Sequence, residues 1–127
     1  MALILIVDDE DYIRSVIEEI LREVGHDVVT VRSGEEAVRL CEGRRFDLVI
    51  TDLSMPGMDG LELIHSLRSS HEQVPVLAVS GAFDGQFLKV ATTLGAVGTL
   101  DKPFTPNGLL GAVDKILGKQ PKRPPAH

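Results

Sequence analysis

The sequence predicts a parallel α/β fold, with one five-stranded sheet carrying helices on both faces. Two observations point there. Strand-like and helix-like segments alternate five times along 127 residues, an order that calls for parallel pairing through helical crossovers. Several of the strand-like segments, such as Leu3–Val7 and residues 76–79, are unbroken apolar runs rather than alternating ones, the pattern of strands covered on both faces.

Each element has its own signal. After Leu3–Val7, apolar residues Ile13, Val16, Ile17, Ile20, Leu21 and Val24 recur at spacings of three and four, which predicts a helix. Gly25 is placed to end it. Val28, Val29 and Val31 predict the second strand. Ser33 and Glu36 form a capping-box pattern that opens a helix through Ala37, Val38 and Cys41. Residues 46–51 read as the third strand. Residues 54–60, with Pro56, Gly57 and Gly60, are rich in helix and strand breakers and predict a loop. Asp59 and Glu62 then cap a helix carrying Leu63, Ile64 and Leu67.

Pro75 precedes the fourth strand, 76–79. Phe87, Val90, Ala91 and Leu94 mark the fourth helix, closed by Gly95. A short strand spans 97–100. Thr105 followed by Pro106 reads as an N-cap with proline at the first helical position. The last helix carries Leu109, Leu110, Val113, Ile116 and Leu117. Gly108 and Gly111 within it each cost about 1 kcal/mol relative to Ala. Residues 1–118 thus read as one domain, and the Pro-rich, basic segment 119–127 as a flexible tail or a truncated linker.

Composition narrows the function. The chain has 19 acidic and 13 basic residues, a net charge of −6, which argues against the concentrated basic face that direct nucleic-acid binding needs. Cys41 is the single cysteine, so no internal disulfide forms, and it reads as a small core residue. The apolar start, MALILIV, is short, has no basic leader and runs straight into acidic residues. It predicts neither a signal peptide nor a membrane span, and the expected location is cytoplasmic. The four histidines show no ligand spacing and read as surface residues. Met55 and Met58 read as loop packing.

In open parallel sheets, ligands bind at the carboxyl ends of strands. Here those ends carry Asp8, Asp9, Glu10 and Asp11 after the first strand, Asp52 after the third, Ser80 after the fourth and Lys102 after the fifth. Crowded carboxylates repel one another, so their pKa values rise or a cation neutralises them. A cluster of oxygen donors without histidine or thiol suits a hard ion such as Mg²⁺. With Lys102 nearby, the ion would make the site receptive to phosphate, and one carboxylate could act as nucleophile to form an aspartyl phosphate.

Four pieces carry a family resemblance: LIVDDE (5–10), TDLSMPGMDG (51–60), VSG (79–81) and DKPF (101–104). In this order, each at a strand end, they resemble the receiver domain of two-component response regulators over about residues 3–118. The resemblance implies a flavodoxin-like sheet of order 2-1-3-4-5. It implies that Asp52 is the phosphoacceptor, that Asp8 and Asp9 hold Mg²⁺ together with Asp52, and that the Ser54 backbone carbonyl joins them. Ser80 and Lys102 would contact the phosphoryl group, and the Lys102–Pro103 bond would be cis. The implied role is a signalling domain rather than an enzyme, at most catalysing its own phosphorylation and dephosphorylation. Its implied partners are a histidine kinase or phosphotransfer protein and an output protein or covalently linked output domain.

One position departs from the family. Three residues before the lysine, where relatives usually carry Tyr or Phe, this chain has Thr99. The output change is therefore expected to rest on loop movement near Ala82 and Phe83. Two other classes fit less well. An aspartyl-phosphate phosphatase would want a nucleophilic Asp after the first strand and a second Asp two residues on, whereas Asp8 and Asp9 are adjacent. A flavin or nucleotide module would want a Gly/Ser/Thr-rich loop there, and acids would repel its phosphate.

Overall fold

The computed structural model describes residues 1–70, 73–81 and 85–119. Its elements run β1 (Leu3–Val7), α1 (Asp11–Glu23), β2 (Asp27–Val31), α2 (Gly34–Gly43), β3 (Leu48–Asp52), α3 (Gly60–Ser69), β4 (Val76–Ser80), α4 (Gly85–Leu94), β5 (Gly98–Asp101) and α5 (Pro106–Lys119). All pairings are parallel, in the order β2-β1-β3-β4-β5. Both the architecture and the order are those expected.

The apolar strands explain the layering. Ile4 and Ile6 of β1 face one side, Leu5 and Val7 the other, and all four are buried. On the first side, Ile17 and Leu21 of α1 and Leu109, Val113 and Ile116 of α5 close over Leu48, Ile50, Leu77 and Val79. On the second, Ala37 and Cys41 of α2, Leu63, Ile64 and Leu67 of α3 and Ala91 of α4 cover Val49, Val76 and Ala78. Each fully buried Leu or Ile contributes roughly 1.5–3 kcal/mol. This two-sided core is what offsets the burial of polar groups at the strand ends.

The terminators act as expected. Gly25 and Gly95 take φ of 97° and 123°, a region that favours glycine. Ser33 accepts the Glu36 N–H, Asp59 the Glu62 N–H and Thr105 the Gly108 N–H. Cys41 and Met55 are buried, and Met58 packs against the core.

Three strands and one helix face differ from expectation. The third strand starts at Leu48, not residue 46: Phe46 is buried ahead of it, and the Asp47 carboxylate accepts the Leu3 N–H. β3 and β4 each extend to a polar residue, Asp52 and Ser80. β5 is Gly98–Asp101, shifted by one residue. In α4, Ala91 is buried, but Phe87 and Val90 are exposed. Two apolar stripes overlap on this helix, and the one through Leu88 and Ala91 faces the sheet. The expected loop movement at Ala82 and Phe83, and the tail from residue 120, lie outside the described residues. Among the described residues, no helix is long and apolar enough to cross a membrane.

Candidate functional site

The sheet order reverses between β1 and β3, so the chain leaves these two strands toward opposite sides and opens a crevice at their carboxyl ends. Asp8 directly follows β1 and its N–H still bonds the Val31 carbonyl. Asp52 is the last residue of β3. Both carboxylates are buried, at 2% and 5% exposure. Ser80 ends β4 and is fully buried. Its carbonyl accepts the Lys102 N–H at 2.6 Å, tying the end of β4 to the start of the loop after β5. The Lys102–Pro103 bond is cis, as expected.

Lys102 joins the carboxylates. Its Nζ lies 3.4 Å from Asp8 Oδ2 and 3.4 Å from Asp52 Oδ1. The other oxygen of Asp8 accepts the Glu10 N–H at 2.9 Å, and Asp52 Oδ1 accepts the Ser54 N–H at 3.4 Å. Burial pushes the Asp52 pKa up to about 6. Lys102 opposes that rise, while the neighbouring Asp8 charge adds to it. Burial likewise raises Asp8, against the Glu10 N–H and Lys102, which favour its charged form. Burial disfavours the Lys102 ammonium, yet Asp52 and Asp8 together outweigh it and hold the lysine charged above its usual range.

Carboxylate oxygens of Asp8, Glu10 and Asp52 lie within 4.8 Å of one another. Three carboxylates against one ammonium leave two negative charges when all are ionised. An all-oxygen set with that residual charge fits a hard divalent cation. The set contains Glu10, which the sequence reading did not single out as a ligand, and it does not include the half-buried Asp9. The sequence offered only its place two residues beyond Asp8; in the structure the chain enters α1 there and the Glu10 N–H bonds Asp8. Ser54 is exposed beside Asp52.

The β3–α3 loop is seated by close backbone approach. A Cβ on Gly60 would collide with the Asp52 carbonyl oxygen and lie 2.7 Å from Leu53 Cα. Gly60 N–H also donates to the Leu53 carbonyl, closing the loop directly behind Asp52. Thr99 is exposed on β5.

Residues 4–114 match the family described as response regulator receiver domain. The alkaline phosphatase synthesis transcriptional regulatory protein PhoP of Bacillus subtilis (strain 168) is 37% identical over 115 residues, covering 90% of this chain and 48% of that protein. The chain therefore spans about half the length of that curated relative. Among solved structures, the chemotaxis protein CheY4 of Vibrio cholerae superposes with a TM-score of 0.85 at 32% identity, covering 91% of this chain and 98% of that one. The receiver domain of NtrX from Brucella abortus gives 0.88 at 30% identity, covering 92% and 99%.

Proposed function

Because the chain belongs to the response regulator receiver domain family, we infer that it is a cytoplasmic, Mg²⁺-dependent phosphoacceptor that takes a phosphoryl group from a histidine kinase or phosphotransfer protein onto Asp52. Receivers of this family are signalling domains that work with histidine kinases and output domains. The observation that carries the reading is the pair of buried carboxylates, Asp8 and Asp52, sharing the single ammonium of Lys102 at the crevice.

In the transfer, an Asp52 carboxylate oxygen attacks the phosphorus of a phosphohistidine. The P–O bond forms as the P–N bond breaks, the bonding pair stays on the imidazole nitrogen, and that nitrogen takes up a proton from solvent. With its pKa near 6, Asp52 is largely ionised at neutral pH and so available as the nucleophile. Lys102 pairs with the phosphoryl oxygens, and the Ser80 hydroxyl donates to one of them. Asp8, Asp9, Asp52 and the Ser54 carbonyl would hold the ion, and Glu10, whose carboxylate lies within 4.8 Å of those of Asp8 and Asp52, is near enough to contribute. Bound Mg²⁺ supplies charge neutralisation at the phosphoryl oxygens.

The switched surface passes the signal to an output partner, whether a separate protein or a domain on the same chain. Residues 1–118 form the receiver unit, and 119–127 a tail or linker. Acetyl phosphate with Mg²⁺ should add one phosphoryl group, read by intact mass. Asp52→Asn should accept none, and undiminished labelling of that variant would overturn the assignment.

A further inference from the structure

Arg14 occupies an unusual place for a cation. It sits in the first turn of α1, where the helix dipole disfavours positive charge, yet its side chain is only 13% exposed. Its guanidinium turns back out of the helix. Nη1 donates to the Asp8 backbone carbonyl at 2.7 Å, and Nη2 pairs with the Asp11 carboxylate. The exposed Arg32 reaches the same Asp11 oxygen at 3.7 Å. The N-cap residue, Glu10, makes no side-chain cap. Two bonds from within the β1–α1 segment thus converge on one residue: Arg14 on the carbonyl of Asp8, and the Glu10 N–H on its carboxylate.

That carbonyl belongs to the peptide joining Asp8 to Asp9. Fixing its direction fixes the plane from which Asp9 and Glu10 depart, and so the aim of the Asp8 and Glu10 carboxylates that the cluster contains. We propose that Arg14 is a positioning residue for the metal-binding loop: it locks the Asp8–Asp9 peptide so that the acidic side chains converge before any ion arrives. This rests on the metal reading above. It assigns Arg14 no contact with ion or phosphoryl group.

Charge and positioning predict opposite signs. Removing a cation beside an acidic site would, by Coulomb's law alone, tighten Mg²⁺ binding. Losing the lock should weaken it, by about tenfold for a group that orients a ligand. The experiment titrates Mg²⁺ alone into wild type, Arg14→Ala, Arg14→Lys and Arg32→Ala, following backbone amide shifts by NMR. The same spectra report whether each variant is folded.

Arg14→Ala should bind about tenfold more weakly, and Arg32→Ala should match wild type. Arg14→Lys keeps the charge but cannot hold the carbonyl and Asp11 with a rigid fork. It should fall between the two, and it decides the question if the alanine variant fails to fold. Unchanged or tighter binding in the folded Arg14 variants overturns the proposal while leaving the metal reading intact. Absence of any Mg²⁺ response in the wild type overturns both.

Discussion

At the scale of single residues, the site is a balance between burial and pairing, and pH reads that balance. Asp52 has a folded-state pKa of about 6 against an ordinary 3.8. The folded protein therefore keeps a proton that the unfolded chain has already released between those values. Stability from this group is fully present below the unfolded pKa and is lost as pH rises through about 6, by up to about 3 kcal/mol at 1.36 kcal/mol per pKa unit. Asp8 is shifted in the same direction. Asp11 is shifted down by its pairing with Arg14, which works the opposite way, so wild type alone does not isolate the effect. The comparison that does is with Asp52→Asn. Without Mg²⁺, the melting temperatures of the two proteins should diverge from pH 4 to pH 7, with the variant gaining. Added Mg²⁺ should narrow the gap, because the ion replaces the proton. Parallel pH profiles would show that Asp52 is not strained by burial. This balance was only partly legible in the sequence. The positions of Asp8, Asp52 and Lys102 follow from strand ends, and their meeting from the sheet order. That Glu10 rather than Asp9 turns toward Asp8 and Asp52 depends on how the chain enters α1, which residue order does not fix.

At the scale of elements, the glycines separate into those the fold requires and those it merely tolerates. Gly60 has no room for a Cβ, because the Asp52 carbonyl and the Leu53 backbone occupy it. Gly111 lies within α5 with nothing within 4 Å of a Cβ. Substitution by alanine should therefore act in opposite senses. Gly111→Ala should stabilise by about 0.5–1 kcal/mol, the helix-propensity difference. Gly60→Ala should destabilise by about 1–3 kcal/mol, the range for overpacking, and displace the loop behind Asp52. Urea denaturation of both variants checks this, and a stable Gly60→Ala would mean that the loop yields more easily than its packing indicates. The sequence marked Gly60 as a loop breaker and Gly111 as a residue that weakens its helix, but not that the return path of the β3–α3 loop makes Gly60, the first residue of α3, indispensable. The same limit explains α4. Phe87 and Val90 continue one apolar stripe and Leu88 and Ala91 another, and the choice of buried face belongs to the sheet and α3. The inner strands β1, β3 and β4 were easier to read, because burial on both faces leaves a largely apolar run that needs no choice of face. Their ends were not, because Asp52 and Ser80 are polar residues that the strand pairing nonetheless includes.

At the scale of the whole molecule, the proposed phosphorylation of Asp52 raises the question of how a phosphoryl group at the carboxyl ends of the strands would alter a distant surface. The elements between are β4 and β5, joined at their ends by the 2.6 Å bond from Lys102 N–H to the Ser80 carbonyl. A phosphoryl group adds close to two negative charges and three acceptor oxygens. Ser80 and Lys102 stand at the strand ends nearest to it, so both loops should be drawn inward together. Relatives usually add an aromatic side chain three residues before the lysine, which turns inward to fill the vacated space. Thr99 is too small for that, and it stands exposed on β5. The response of this face should therefore come through the Ser80–Lys102 linkage, with Thr99 a minor participant. Coupling between distant sites is typically about 1–3 kcal/mol, and one linkage without the aromatic element should give the low end. The check needs no partner: amide shifts along β5 and α5 are recorded before and after loading a phosphoryl mimic with Mg²⁺. Thr99→Ala should reproduce the wild-type shift changes nearly in full. Ser80→Ala, although it still loads at Asp52, should lose most of them. If Thr99→Ala loses as much as Ser80→Ala, the signal runs through position 99 despite its size, and the exposed threonine is itself the moving part.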